Sequence, residues 1–260
     1  MSKEWNATLY HRISAPQVSW GKKVLSRVSF RGDERVLDAG CGTGLLTRDL
    51  LEALSSGHVV ALDVSQNMLD AARAYLEPDF RGRVEFAHYD LLDLPFEQEF
   101  DGIFSTASFH WVLDHDRLFR NLYRALRPGG WLVAQCGGER NIERLLKRTQ
   151  ALMESKAYAA YFAGYQSPWE FSSPATAATR LRAAGFEQIE TSSEEAPTLF
   201  PNALEFQQFV ETVILRHHVQ GITENAVRQQ FLAELTRQYE ADDPPFLIDY
   251  RRLNLQARRG

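Results

Sequence analysis

A strand, a glycine-dense turn and a distant carboxylate set the terms for this chain. Val36-Leu37-Asp38-Ala39-Gly40-Cys41-Gly42-Thr43-Gly44 runs from an apolar segment into alternating glycines, and 19 positions after Gly44 comes Asp63, at the end of the apolar run Val59-Val60-Ala61-Leu62. An apolar strand, a tight turn, an amphipathic helix and a second strand ending in an acid form half of a nucleotide-binding α/β unit. Glycine is required where the backbone itself must approach a ligand, because a side chain would hold the ligand off. A carboxylate at the end of the second strand can accept two hydrogen bonds from a ribose diol. The pattern predicts an adenosine-containing cofactor.

The spacing narrows the choice. A dinucleotide fingerprint, G-x-G-x-x-G/A, needs a small third residue so that helix and strand pack closely. Counted from Gly40 that position is Leu45, and counted from Gly42 it is Thr47; neither satisfies it. What the chain has instead is Asp38, two residues before the first glycine. A carboxylate there repels a pyrophosphate and attracts an ammonium group. S-adenosylmethionine (SAM) carries an amino-acid ammonium and no phosphate. Asp38 to Gly44 resembles motif I of the class I SAM-dependent methyltransferases.

Composition is ordinary for a globular protein. The 260 residues are 44% hydrophobic and 24% charged, enough for a sizeable core in one α/β domain or one domain with an inserted cap. A net charge of −5 disfavours a sequence-independent binder of nucleic-acid backbone. Arg251, Arg252, Arg258 and Arg259 gather near the C-terminal end and read as a solvated edge. Cys41 and Cys136 lack metal-ligand spacing, so no metal site is expected, and they suggest a reducing compartment without disulfides. With no long apolar run and no signal-peptide pattern at Met1-Ser2-Lys3-Glu4, the expectation is a soluble cytoplasmic protein that engages neither membrane nor nucleic acid.

Strands alternate with helices over most of the chain, which predicts a mainly parallel sheet with helices on both faces. Leu46, Leu50 and Leu54 give the stripe of a first helix. Ser65 is placed to cap a second, carrying Met68, Ala72, Tyr75 and Leu76 on one face. Val84–Ala87 and Phe100–Ser105 read as strands, and Leu118, Phe119, Leu122 and Leu126 mark another helix, stopped by Arg127-Pro128-Gly129-Gly130 before a strand from Trp131 to Gln135. Ser173-Pro174 opens a helix that ends at Gly185, ahead of a strand from Phe186 to Thr191. Two helical stripes follow, Phe206/Val210/Val213 and Val227/Phe231/Leu235, until Asp242-Asp243-Pro244-Pro245 breaks the second. The predicted organisation is a single domain over 1–260, with a helical cover (1–29), a core (30–200), a helical insertion (201–245) and a closing strand (246–260). The aromatic stretch Tyr158, Tyr161, Phe162, Tyr165, Trp169 and Phe171 reads as a helix packed on the core, or as a lid over a substrate pocket.

Later segments carry the resemblance further. Tyr89-Asp90-Leu91-Leu92-Asp93-Leu94-Pro95-Phe96 resembles the D-x-x-x-L-P-F stretch of small-molecule SAM methyltransferases, and Phe100 to Thr106 resembles the strand whose end faces the methionine part of SAM, with Thr106 where many relatives carry asparagine. Ala107-Ser108-Phe109-His110-Trp111-Val112 resembles the subgroup containing trans-aconitate methyltransferase and malonyl-carrier-protein O-methyltransferase, and the stretch from Trp5 to Trp20, with Tyr10, resembles its N-terminal helix folding over the SAM site. The resemblance implies a Rossmann-like, seven-stranded, mainly parallel sheet with the last strand antiparallel and a helical insertion between the last two strands. It implies SAM as cofactor, S-adenosylhomocysteine as product, and a site from Tyr10, Asp38, Ala39, Gly40, Cys41, Gly42, Gly44, Asp63, Val64, Met68, Asp90, Leu91 and Thr106. The acceptor side falls to His110, Trp111, Tyr161 and Tyr165.

The expected activity is methyl transfer to a small molecule, directed to oxygen in a carboxylate or hydroxyl. A carboxylate is already ionised and needs no base, whereas a phenol or amine would use one, and His110 is the candidate as base or as positioning residue, the His-Trp pair reading equally as a packing element after the strand. Arg216, His217 and His218 read as a solvated helix end or as a lure for an anionic substrate. A nicotinamide-dependent oxidoreductase and a non-catalytic SAM-binding protein remain as alternatives, and an RNA or protein methyltransferase ranks below a small acceptor.

Overall fold

In the computed structural model, the described residues are Glu4, Ala7 and 15–260. They fall into two compact units. Of the described residues, the sheet unit takes those up to Glu139, Trp169–Glu194 and Arg252–Gly260, and the helical unit takes Arg140–Pro168 and Glu195–Arg251.

The sheet unit is doubly wound. Helix α1 (Ala15–Leu25) precedes strand β1 (Arg35–Ala39), α2 (Leu45–Ala53), β2 (His58–Asp63), α3 (Gln66–Phe80), β3 (Val84–His88), β4 (Phe100–Thr106), α4 (His115–Ala125) and β5 (Leu126–Gly137). After the excursion into α5 (Glu143–Met153) come α6 (Pro174–Ala183), β6 (Phe186–Glu195) and finally β7 (Arg251–Arg259). The spatial order is β3-β2-β1-β4-β5-β7-β6. Strands β1 to β5 pair in parallel, while β7 runs antiparallel to β5, as the resemblance implies. Strand alternation divides the core in two. Leu37, Val60, Ile103 and Leu132 pack under α4 and α6, whereas Val36, Val59, Phe104 and Val133 pack under α1, α2 and α3.

The local signals act as their chemistry requires. Ser65 Oγ accepts from Met68 N–H to open α3, and Ser173 accepts from Thr176 N–H to open α6 with Pro174 in its first turn. Gly185 ends α6 with φ +104°, and a Cβ there would meet the Tyr123 ring at 3.0 Å. The closing strand starts at Arg251 rather than Phe246, because Leu247–Ile248 pair instead with Thr198–Leu199.

The insertion between β6 and β7 is helical, and the unit that contains it also takes in Arg140–Pro168. Its elements are α5, α7 (Ala203–Phe209), a π-helical turn Val210–Ile214, α8 (Arg216–Val219) and α9 (Asn225–Glu240). The first stripe is therefore not one helix, since Leu215 N–H bonds to Val210 O, five residues back. Phe206, Phe209, Phe231, Leu235 and Tyr239 form the unit's buried centre. Neither does the aromatic stretch form one helix. Only Ala159–Phe162 makes a short 3₁₀ turn, Gly164 (φ +76°) breaks it, and the stretch divides at Pro168 between the two units. His217 and His218 are not a solvated end. His218 is buried, Tyr165 Oη lies 2.7 Å from its Nε2, and burial depresses the two imidazoles to about 4 and about 3 respectively. Among the described residues no helix is long and apolar enough to cross a membrane.

Candidate active site

Most of the residues singled out from the sequence meet at the C-terminal ends of the parallel strands, where open α/β sheets bind ligands. The loop after β1 is drawn under β2, with Gly40 and Cys41 N–H both bonded to Leu62 O at 2.8 Å. Gly40 has φ +93°, and a Cβ there would fall 2.0 Å from Ser108 Oγ. Ser108 Oγ in turn lies 3.2 Å from Gly40 O, so the turns after β1 and β4 are locked together. Gly42 differs: with φ +54°, a Cβ would meet nothing within 4 Å. Open space thus fronts bare backbone at Gly42, the cradle a ligand needs.

Two acids flank this cradle. Asp63, at the end of β2, accepts from Gly42 N–H at 3.0 Å and from Ser65 N–H at 2.9 Å, one bond to each oxygen. Each oxygen keeps a lone pair for a further donor. Burial raises its carboxyl above the usual range, against the pull of those N–H groups. Asp38 lies deeper, 2% exposed, with Oδ2 accepting from Thr47 Oγ at 2.7 Å. Its carboxyl is pushed up to about 7, first by burial and further by the nearby charge of Asp63. Such a pair suits a cation and opposes a pyrophosphate, and the residues therefore fit SAM rather than a dinucleotide. Cys41 sits in the loop as a buried thiol held well above its ordinary range, first by burial and then by the two acids, so it serves packing rather than nucleophilic chemistry.

The remaining cofactor-side candidates lie along the same edge. Met68 is buried in the first turn of α3. Asp90 Oδ1 accepts from Leu92 N–H at 3.0 Å and so caps the 3₁₀ turn holding buried Leu91. Val64 O receives a 3.0 Å contact from His88 Nε2, and Ala39 is fully buried at the end of β1. Thr106 ends β4, followed by Ala107 at φ +56°. Tyr10 lies outside the described residues. Glu4 does not, and the sequence reading passed over it. Its carboxylate accepts from Ser65 Oγ and from the N–H groups of Gln66 and Asn67, capping α3 beside Asp63.

Beyond Ala107, a 3₁₀ turn Phe109–Trp111 presents His110 and Trp111. Trp169 and Phe171 return to pack on them, tied by Glu170 N–H to His110 O at 3.0 Å. The four rings close a circuit, with centroid separations of 5.4 Å (His110–Trp111), 5.5 Å (Trp111–Trp169), 5.7 Å (Trp169–Phe171) and 5.9 Å (Phe171–His110). Gly137 N–H donates to His110 Nδ1 at 3.3 Å. A backbone donor fixes the tautomer: the neutral ring carries its proton on Nε2 and has no lone pair left. Burial holds this imidazole well below its ordinary pKa, with Arg252 and His115 adding to the effect. Tyr161 and Tyr165 belong to the helical unit, so the structure does not join them to this ring circuit within one unit.

The family model described as "Methyltransferase domain" matches residues 36–130. The chain is 30% identical over 202 residues to a trans-aconitate 2-methyltransferase of Deinococcus radiodurans, covering 76% of each chain. It is 28% identical over 270 residues to the trans-aconitate 2-methyltransferase of Escherichia coli O1:K1, covering 98% of each. Among solved structures it is similar to phosphoethanolamine N-methyltransferase 2 of Haemonchus contortus bound to S-adenosylhomocysteine, with a TM-score of 0.64 at 21% identity over 97% of this chain and 56% of that one. Fold, acidic loop and relatives together define a class I SAM-dependent methyltransferase, and within that class the chain belongs to the trans-aconitate 2-methyltransferase subgroup. It is an enzyme, and its cofactor is SAM.

Gly42→Ala isolates the cradle. With no neighbour to strike, the methyl group costs only the left-handed backbone, about 1 kcal/mol or roughly 2–4 °C in Tm. S-adenosylhomocysteine affinity, measured by calorimetry, is expected to fall at least tenfold in a protein that remains folded.

Proposed function

We propose that this enzyme methylates a carboxylate oxygen of a small organic acid. The observation that carries the reading is the Gly137 N–H to His110 Nδ1 hydrogen bond, which leaves the one imidazole of the ring circuit unable to take a proton. An amine or phenol acceptor would need a proton acceptor as the new bond forms. A carboxylate at neutral pH needs none, and His110 Nε2–H serves it as a hydrogen-bond donor. When bound, SAM would supply a sulfonium methyl group already activated for transfer to a carboxylate oxygen, with the S–CH₃ bonding pair left on sulfur.

The protein's contribution is position and dryness. Asp63 would accept from the ribose hydroxyls, and the backbone of Gly40 to Gly44, with Ala39 and Cys41, would hold the methionine chain. Asp38, oriented by Thr47, would meet the ammonium. Asp90 and Leu91 would hold the adenine, Val64 and Met68 would pack beside it, and Thr106 would meet the methionine end. Trp111, Trp169 and Phe171 wall the acceptor. The named substrate of the bacterial relatives, a carboxylic acid, supports the same reading. Two free, buried cysteines accord with a reducing cytoplasm.

Labelled methyl transfer from SAM to a panel of carboxylic acids, phenols and amines tests this. The expected product is an ester of a carboxylic acid that releases labelled methanol in mild alkali. Label confined to alkali-stable products from amines or phenols would overturn the reading.

A further inference from the structure

On the side of the sheet that faces α1, β1, β2 and β4 are apolar through Val36, Val59, Ala61 and Phe104. At the β5–β7 corner that face turns polar. Gln135 Nε2 donates to Asn254 Oδ1 at 2.8 Å, both residues buried. One strand alternation further toward the edge is Arg252, paired in register with Gly137 and 3% exposed. It was grouped in the sequence with a solvated basic edge. The strand corrects this: Leu253, Leu255 and Ala257 enter the core on the opposite face, and the even-numbered Arg252 and Asn254 are buried on this one.

Its guanidinium carbon stands 4.7 Å from the ring centroid of Trp20 on α1. The same charge reaches His110 and Cys136. Gly137 links the two groups, for it lies opposite Arg252 in the ladder and donates the hydrogen bond that fixes His110. A buried guanidinium is costly to desolvate, and an apolar residue would fill a strand position more cheaply. A guanidinium fork over an indole, beside a neutral N–H donor and at the ligand-binding edge of the sheet, is the chemistry of carboxylate recognition. Thr106 is two strands away, about 10 Å across the sheet, within the span of a small acid.

We infer that Arg252 binds a carboxylate of the methyl acceptor, its guanidinium lying over Trp20, and so selects anionic acceptors. This rests on the carboxylate reading of the function. The test compares wild type, Arg252→Gln and Arg252→Lys with labelled SAM and trans-aconitate as the acceptor probe, or with the best carboxylic acceptor of the screen should wild type not use it. S-adenosylhomocysteine affinity is measured in parallel. Arg252→Gln is expected to raise KM at least a hundredfold, with a smaller change in kcat and cofactor affinity within twofold. Arg252→Lys keeps the charge without the fork and is expected to recover part of the loss, at a KM about tenfold above wild type. A folded, cofactor-binding glutamine variant with wild-type KM would overturn the assignment and leave the carboxylate reading standing. Should the glutamine variant not fold, an unchanged KM in the lysine variant overturns it equally. A wild-type enzyme that methylates no carboxylic acid overturns the reading underneath.

Discussion

Asp63→Ala is expected to weaken SAM and S-adenosylhomocysteine binding by at least about a hundredfold. Hydrogen bonds to a charged acceptor contribute about 1.5–3 kcal/mol each, and a ribose diol makes two. At about 1.4 kcal/mol per factor of ten, the loss exceeds two decades. The substitution also frees two N–H groups, because Asp63 accepts from both Gly42 and Ser65. Asp63→Asn separates these effects. Its amide keeps the shape and one acceptor, but turns an NH₂ group toward either Gly42 or Ser65 N–H. It is expected to bind nearly as poorly as the alanine variant. Calorimetry gives the affinities, and thermal unfolding at pH 8 shows whether the loop has survived. Affinity within threefold of wild type in both variants would remove Asp63 from the ribose site.

The parts of this protein that could be read from its residues are those where cause and effect lie close together in the chain. Gly40, Gly42 and Gly44 between an apolar strand and a leucine stripe specify a turn, and Ser65 and Ser173 cap helices within three residues of themselves. Asp38 and Asp63 were visible as charges because each ends an apolar run. What Asp38 does was less visible: its partner Thr47 sits on α2, and its burial depends on how that helix crosses β1. The role of His110 turns on Gly137 N–H, 27 residues away on another strand, so sequence pattern alone left a catalytic and a packing role equally open. Arg252 was misread for a related reason. Four arginines in ten residues resemble a solvated edge until the register of β7 on β5 assigns each a face. In the helical unit, apolar stripes located the segments but could not show where a π-turn or a glycine would divide them.

Asp38→Asn is expected to produce opposite changes in stability and binding. The carboxyl of Asp38 rises from 3.8 to about 7 because burial opposes its charge, Thr47 relieving part of the cost and Asp63 adding to it. Between about pH 4 and about pH 7 the folded protein therefore holds a proton that the unfolded chain has released, and stability of the cofactor-free enzyme falls as pH rises through that window. At 1.36 kcal/mol per pH unit, the buried charge costs a few kcal/mol at pH 8, of order 4 at most. Asparagine presents the same oxygen to Thr47 without the charge. The cofactor-free variant is expected to melt about 5 °C or more above wild type at pH 8, and the gap should close toward pH 5. Binding moves the other way. The SAM ammonium needs the ionised carboxylate, so wild-type affinity should climb nearly tenfold per unit as pH rises toward 7, with Asp63, also raised, adding to the same acid limb. It should decline again above about pH 8 as the α-amino group loses its proton. The asparagine variant is expected to lose at least about a hundredfold in affinity at pH 7.5 and to keep only the shallower acid limb of Asp63. A loop selected for stability alone would not keep a charge whose removal stabilises it; a loop selected to receive an ammonium would. Wild-type affinity flat from pH 5.5 to 7.5, or an asparagine variant that binds SAM as tightly as wild type, would show that Asp38 does not meet the ammonium.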